Sequence, residues 1–214
     1  MLEYNYQSEA NISSLLEDLE YKERKEALLI ILKEFKNNEV KYGVACSFNL
    51  FLLGITDEFH DFDFIVDIDS ISSVKKVMKE LGAKLVDSGG NGVCESDIYL
   101  HYQLGRVDID IISGFRILTF GTSIHYKYNS DEINTLIIYE DEKIEIPLIT
   151  VEALFLLYAM MEGWQPKRRY KRILIEKYLE DRSLEYPEIF REFLNSSLPG
   201  WIKREIRKLL VLTN

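Results

Sequence analysis

Cysteine is scarce in this sequence: Cys46 and Cys94 are the only two in 214 residues. Two thiols in a chain of this length give neither a disulfide framework nor a zinc set, so a reducing compartment is expected. Histidine is nearly as rare. His60, His101 and His125 are scattered without zinc-ligand spacing, and no histidine lies beside Cys46 in sequence to activate it as a nucleophile. Long hydrophobic runs are also missing. The longest apolar segments, Ala27 to Leu32 and Ala153 to Met161, fall well short of the ~20 residues that span a bilayer. The opening residues MLEYNYQSEA have neither the basic start nor the apolar stretch of a signal peptide. A soluble, cytoplasmic protein with no membrane partner is therefore expected. A Walker loop, a serine elbow and a dinucleotide fingerprint are absent, as are internal repeats and low-complexity stretches.

Positive charge is what the first three quarters lack. Residues 1–163 hold 14 basic against 29 acidic residues, whereas residues 164–214 hold 12 basic and 7 acidic. So acidic a front repels a phosphate backbone, because polyanion binding depends on lysine and arginine displacing counterions. Long nucleic acid is disfavoured as a partner; an RNA end touching only the basic tail stays open. With 47% hydrophobic and 12% aromatic residues, the chain can bury one sizeable core with a small appended lobe.

From Ile12 to Phe35, apolar residues recur at helical spacing, predicting an amphipathic helix with Asn11, Ser13 or Ser14 as cap. Val40 to Ala45 is a β-prone run, and Ser47 to Leu53 reads as a helix ending at Gly54. Phe62 to Val66 suits a strand and Ser70 to Leu81 a helix. After a loop from Ser88 to Gly92, the runs Ile98 to Gln103, Arg106 to Ile112 and Arg116 to Phe120 look like neighbouring antiparallel strands. Leu136 to Tyr139 and Lys143 to Ile146 flank Glu140, Asp141 and Glu142 as a hairpin, with Pro147 closing the sheet region. Thr150 can cap a helix from Val151 to Met161, Pro166 favours one through Leu179, and a last helix runs from about Pro199 to Val211. The pattern is α+β: a mixed β-sheet flanked by helices over residues 1–147, then a C-terminal helical lobe over residues 148–214.

Asp61 and Asp63 lie two apart in a predicted strand, so both carboxylates share one face while Phe62 and Phe64 take the other. Adjacent carboxylates repel unless a cation lies between them, and magnesium suits a few carboxylates plus substrate phosphates. A solvated strand face would look the same. The second strand decides more: Arg106-Val107-Asp108-Ile109-Asp110-Ile111 also carries two carboxylates on one face. Were it to pair beside the first, the cluster could hold two magnesium ions about 3.5–4 Å apart for an in-line phosphoryl displacement.

In these pieces the chain resembles the nucleotidyltransferases of the DNA polymerase beta superfamily. Those proteins have a Gly-Gly or Gly-Ser turn opening a helix, then Asp-h-Asp with h apolar, then a third Asp on a later strand. Here the corresponding residues are Cys46-Ser47, Asp61-Phe62-Asp63 and Arg106-Val107-Asp108-Ile109, over a stretch from Val40 to Gly114. Ala45 to Gly54 looks like the turn and first helix of small bacterial members. Ile146 to Leu154 followed by Arg169-Tyr170-Lys171 is similar to their helical segment after the catalytic sheet, with Arg172 where those proteins commonly have Asp.

The resemblance implies a nucleotidyltransferase fold. It implies that Asp61 and Asp63 hold Mg2+ or Mn2+ and that Asp108 is the third carboxylate and base, with Asp110 in reserve. Cys46 and Ser47 would meet the phosphates of a nucleoside triphosphate, although Ser47 also reads as a plain helix cap. Lys167, Arg168, Lys171 and Arg172 fall at helical spacing, a basic face from which Arg168 and Lys171 could reach a triphosphate. His60 precedes Asp61 and could touch a nucleotide. The implied reaction moves a nucleoside monophosphate onto a hydroxyl of a small molecule, or of a protein or RNA end. Cys46 in place of glycine, and Arg172 in place of the acid, motivate the alternative of a catalytically inactive binding or antitoxin-like interaction module. A homodimer with an acceptor site between subunits is left open.

Overall fold

In the computed structural model, which describes residues 19–89, 95–119, 121–139, 143–163 and 165–212, a first helix α1 (Leu19–Asn37) buries Leu28, Ile31, Leu32 and Phe35. These residues lie on one side of a helix at 3.6 residues per turn, the periodicity legible in the sequence. The expected caps Asn11, Ser13 and Ser14, together with Cys94, Glu140, Asp141 and Glu142, lie outside the described residues.

Strand β1 (Tyr42–Ala45) runs directly into helix α2 (Cys46–Leu52), and every residue of both is buried. Strand β2 (Phe62–Val66), helix α3 (Ile71–Glu80), strand β3 (Lys84–Asp87), β4 (Ile98–Leu104) and β5 (Val107–Ser113) follow. After them come β6 (Phe115–Thr119), β7 (Thr122–Tyr126), β8 (Ile133–Tyr139) and β9 (Lys143–Ile149). Seven strands form one sheet in the order β3-β4-β5-β2-β1-β9-β8, while β6 and β7 pair separately. The sheet is mixed: β1 pairs antiparallel with β2 and parallel with β9, and β2 pairs parallel with β5.

Period-two alternation sends the two faces of this sheet into two cores. Phe62, Phe64 and Val66 of β2 and Ile109 and Ile111 of β5 pack with α1 and α3. Ile65, Ile112 and Ile149 point the other way, onto helix α4 (Val151–Glu162), which is buried from Val151 through Met161. Helices α5 (Arg168–Glu180), α6 (Pro187–Leu194) and α7 (Gly200–Leu212) complete that side, with α5 and α6 against α4. As expected, Thr150 caps α4, its hydroxyl accepting the Ala153 N–H at 3.4 Å. No helix among the described residues is long and apolar enough to cross a membrane.

Two sequence expectations change. Pro147 lies within β9, opposite Thr135, and the strand runs on to Ile149; a strand accepts proline where its missing N–H is not called on. The run from Phe115 pairs with β7 instead of joining the main sheet, because Gly114, at a φ of 59°, turns the chain out of line after β5. Strand β3, exposed along its whole length, has no inward residues to give it a sequence signature.

The corner between β1 and α2 is held from within. Gly43 is close to β9: a Cβ there would come within 2.6 Å of Ile149 Cδ1. Buried Asn49 of α2 donates to the carbonyls of Val44 and Ile149, each at 2.8 Å, and so fastens the ends of β1 and β9 together. The loop before β2 is anchored by Phe59, whose ring lies 4.7 Å from that of Phe48. Replacing Asn49 by alanine strands two buried carbonyls, so Asn49→Ala is expected to cost about 2–4 kcal/mol. Urea denaturation checks this; a midpoint within error of wild type would refute it.

Candidate active site

Three carboxylates meet at the edge of the α4 side of the sheet. Alternation in β2 puts Asp63 on the face opposite Phe62 and Phe64, with Asp61 just before it, and parallel pairing of β2 with β5 sets Asp63 directly beside Asp110. One carboxylate oxygen from each of Asp61, Asp63 and Asp110 lies within 4.8 Å of the others. Asp108, the expected third member, lies two residues earlier on β5. Its side chain is 47% exposed, with Oδ1 3.5 Å from His101 Nε2 and within 3.4 Å of Gln103 Nε2. The reserve residue, Asp110, occupies the cluster because the β2–β5 register, set by packing between distant segments, aligns it with Asp63.

Asp63 is buried, and this burial together with the charges of Asp61 and Asp110 pushes its carboxyl well above the usual carboxylate range. Arg168 and a hydrogen bond from the Cys46 thiol pull in the other direction. Cys46 adopts a φ of 51°, in the left-handed region that ordinarily favours glycine and costs other residues about 1–2 kcal/mol. The backbone at this corner therefore has the glycine-type conformation with a cysteine in it. Ser47 does not cap α2: the N-cap position belongs to Ala45, without a side-chain cap bond, and the Ser47 hydroxyl donates instead to Asp61 Oδ1 at 3.2 Å.

The expected basic face is divided. Arg168 and Lys171 are coupled electrostatically to the carboxylates: Arg168 acts on Asp63 and Cys46, and burial followed by the Arg168 charge lowers Lys171 while Cys46, Asp61 and Asp63 oppose that shift. Arg168 is steadied by Gln165 Oε1, which accepts from its Nε at 3.0 Å, and by the Tyr158 ring, 5.8 Å from the guanidinium carbon. Arg172 turns away. It is buried between Glu162 at 2.6 Å and Glu176 at 2.5 Å and lies over Trp201, joining α4, α5 and α7. Lys167 is exposed, and His60 sits at the surface 4.0 Å from Glu58.

Two contacts were not anticipated. Tyr99 donates its hydroxyl to Asp110 Oδ1 at 3.0 Å, and His101 Nδ1 lies 2.6 Å from the same oxygen. Burial raises the Asp110 carboxyl, and these two hydrogen bonds oppose the shift. Their signal was in the sequence: Tyr99 and His101 are two apart in a strand read as antiparallel to the one that carries Asp110. The Tyr158 hydroxyl, buried near Cys46, has no hydrogen-bond partner in the described structure.

A mixed α+β sheet carries here a convergent carboxylate triad whose hard oxygens could hold a metal ion. No family model and no curated protein matches the chain by sequence. Solved structures do match it. A protein from Thermotoga maritima, provisionally assigned as a nucleotidyltransferase, gives a TM-score of 0.53 at 20% identity over 75% of this chain and 95% of its own. The antibiotic-resistance factor ANT(2'')-Ia gives 0.51 at 13% identity over 71% of this chain and 82% of its own. The chain has the nucleotidyltransferase fold.

The raised Asp63 carboxyl sets a pH dependence. Folding favours its protonated form, so that contribution is complete below the unfolded-state range and is lost as the pH rises through the folded value. In metal-free protein at pH 8, Asp63→Asn is therefore expected to melt several degrees above wild type, about 1 kcal/mol being worth roughly 2–4 °C in a chain of this size. The gap should shrink at pH 5, and Mn2+ should close it by stabilising wild type alone. Thermal unfolding in chelator and in Mn2+ measures both, and a variant that melts below wild type at pH 8 contradicts the cause assigned here.

Proposed function

We propose that this protein is a divalent-metal-dependent nucleotidyltransferase that moves a nucleoside monophosphate from a nucleoside triphosphate onto a hydroxyl of a small molecule. The observation that carries the reading is the convergence of Asp61, Asp63 and Asp110 within 4.8 Å in a nucleotidyltransferase fold. Their donor set fits Mg2+ or Mn2+: hard oxygens, few in number, with substrate phosphates to complete the coordination. Bound there, the ion would neutralise charge on the triphosphate.

The chain's own residues divide the remaining work. Arg168 and Lys171 contact the phosphates, adding cationic donors across from the carboxylates. Ser47 shares its hydroxyl between Asp61 and the nucleotide. Asp110 accepts the proton of the attacking hydroxyl as its oxygen bonds to the α-phosphorus, and the bond to the β-phosphate oxygen breaks to release pyrophosphate. An acceptor that is a small molecule, in preference to a protein or RNA end, is supported by the net charge of −10, which repels polyanions. It is supported also by a structural neighbour that is an antibiotic-resistance factor.

The test is pyrophosphate release from each nucleoside triphosphate with Mg2+ or Mn2+ and a panel of hydroxylated small molecules. Asp110→Asn is expected to lower the rate by about 10²–10⁴-fold, the usual scale for a positioned general base. Asp108→Asn should stay within a few-fold. The reverse ranking would return the third-carboxylate role to Asp108, and nucleotide binding with no release under any condition would support the inactive interaction module.

A further inference from the structure

Asp110 differs from the other two carboxylates in that a single oxygen meets two side chains at once. Oδ1 meets both the Tyr99 hydroxyl at 3.0 Å and His101 Nδ1 at 2.6 Å, and no hydrogen bond to Oδ2 is formed within the described structure. A carboxylate oxygen accepts about two donors in its plane, so with the His101 proton on Nδ1 the Oδ1 atom is saturated. The arrangement follows from the sheet. Strand β4 is antiparallel to β5 with His101 directly opposite Asp110 and Tyr99 opposite Ile112, which makes Tyr99 the diagonal neighbour on the same face. Both donors therefore stand on a strand in the interior of the sheet, between β3 and β5, and not on a loop.

We propose that Tyr99 and His101 are positioning residues that clamp Asp110 by Oδ1 and leave Oδ2 as the one oxygen it offers to a cation or to the proton of an attacking hydroxyl. The proposal rests on Asp110 being the third carboxylate. A free aspartate rotates about χ2 and can present either oxygen or both; a clamped one presents a single oxygen from a fixed direction. Such orienting partners commonly govern metal affinity as strongly as some ligands do. The clamp also has a counterpart across the site, where Ser47 holds Oδ1 of Asp61 at 3.2 Å. Burial and the Asp110 charge raise the Tyr99 phenol far above its ordinary value, so its hydroxyl remains a donor. Tyr99 and His101 are both only half-buried; the Tyr99 ring packs against the core on the α4 side, and Tyr99→Phe keeps that ring while removing its hydroxyl.

The experiment uses the full chain in five variants: Tyr99→Phe, His101→Leu, the double variant of these two, His101→Asn, whose amide keeps a donor near the Nδ1 position, and Asp110→Asn. Mn2+ affinity is read by calorimetry or electron paramagnetic resonance, with kcat and KM measured alongside and circular dichroism confirming the fold. Tyr99→Phe combined with His101→Leu is expected to weaken Mn2+ binding about tenfold or more and to lower kcat with little change in the nucleotide KM. His101→Asn should recover most of what His101→Leu loses. Mn2+ affinity and kcat within twofold of wild type in the double variant would overturn the clamp, as would His101→Asn being as impaired as His101→Leu. Asp110→Asn separates this failure from that of the underlying reading: if it too leaves Mn2+ affinity and turnover intact, Asp110 is not in the site at all.

Discussion

Like charges held together against their repulsion are the constraint on which this structure turns. Asp61, Asp63 and Asp110 are brought within 4.8 Å by the parallel pairing of β2 with β5, and Asp63 is buried as well. Folding gains nothing from such a cluster. Much of the surrounding architecture answers it: the Cys46 thiol and Arg168 relieve Asp63, Tyr99 and His101 hold Asp110, and Ser47 holds Asp61. Arrangements of this kind, in which titratable groups are pushed from their ordinary values by burial and by one another, mark functional sites more often than structural ones.

Much of the fold was legible in the sequence because its periodicities are local. Asp61 and Asp63 share a face by the two-residue repeat of a strand, and the helices on both sides of the sheet follow their apolar spacing. Asp108 against Asp110 was not legible in the same way. Both satisfy the alternation, and only the register between β2 and β5, with α3, β3 and β4 between them in sequence, selects Asp110. The local match of Arg-Val-Asp-Ile to a familiar pattern points to Asp108, which the register leaves outside the cluster of Asp61, Asp63 and Asp110. The basic helix shows a similar limit: spacing placed Lys167, Arg168, Lys171 and Arg172 together, but Glu162 and Glu176 draw Arg172 into a packing role.

Cys46 shows how a sequence rule about glycine can be outweighed. A positive φ disfavours any side chain, yet here the side chain is buried, belongs to the apolar cluster on the α4 side, and gives its S–H to Asp63. The strain of about 1–2 kcal/mol is offset by contacts that a glycine could not make. The corner keeps its shape through those contacts and through Asn49, which joins α2 to the ends of two strands at once.

The carboxylates come from strands early in the chain, whereas Arg168 and Lys171 come from a helix that follows the whole sheet. During synthesis the acidic side of the cluster emerges first and its cations follow only after the whole sheet. A chain ending after β9 would thus carry the three carboxylates without Arg168 to oppose their charge and without α4 to cover that face of the sheet. The charges of Asp63 and its neighbours are answered by Arg168 only when the helices after β9 dock on the sheet, so the balance of charge at this cluster depends on contact between distant parts of the chain.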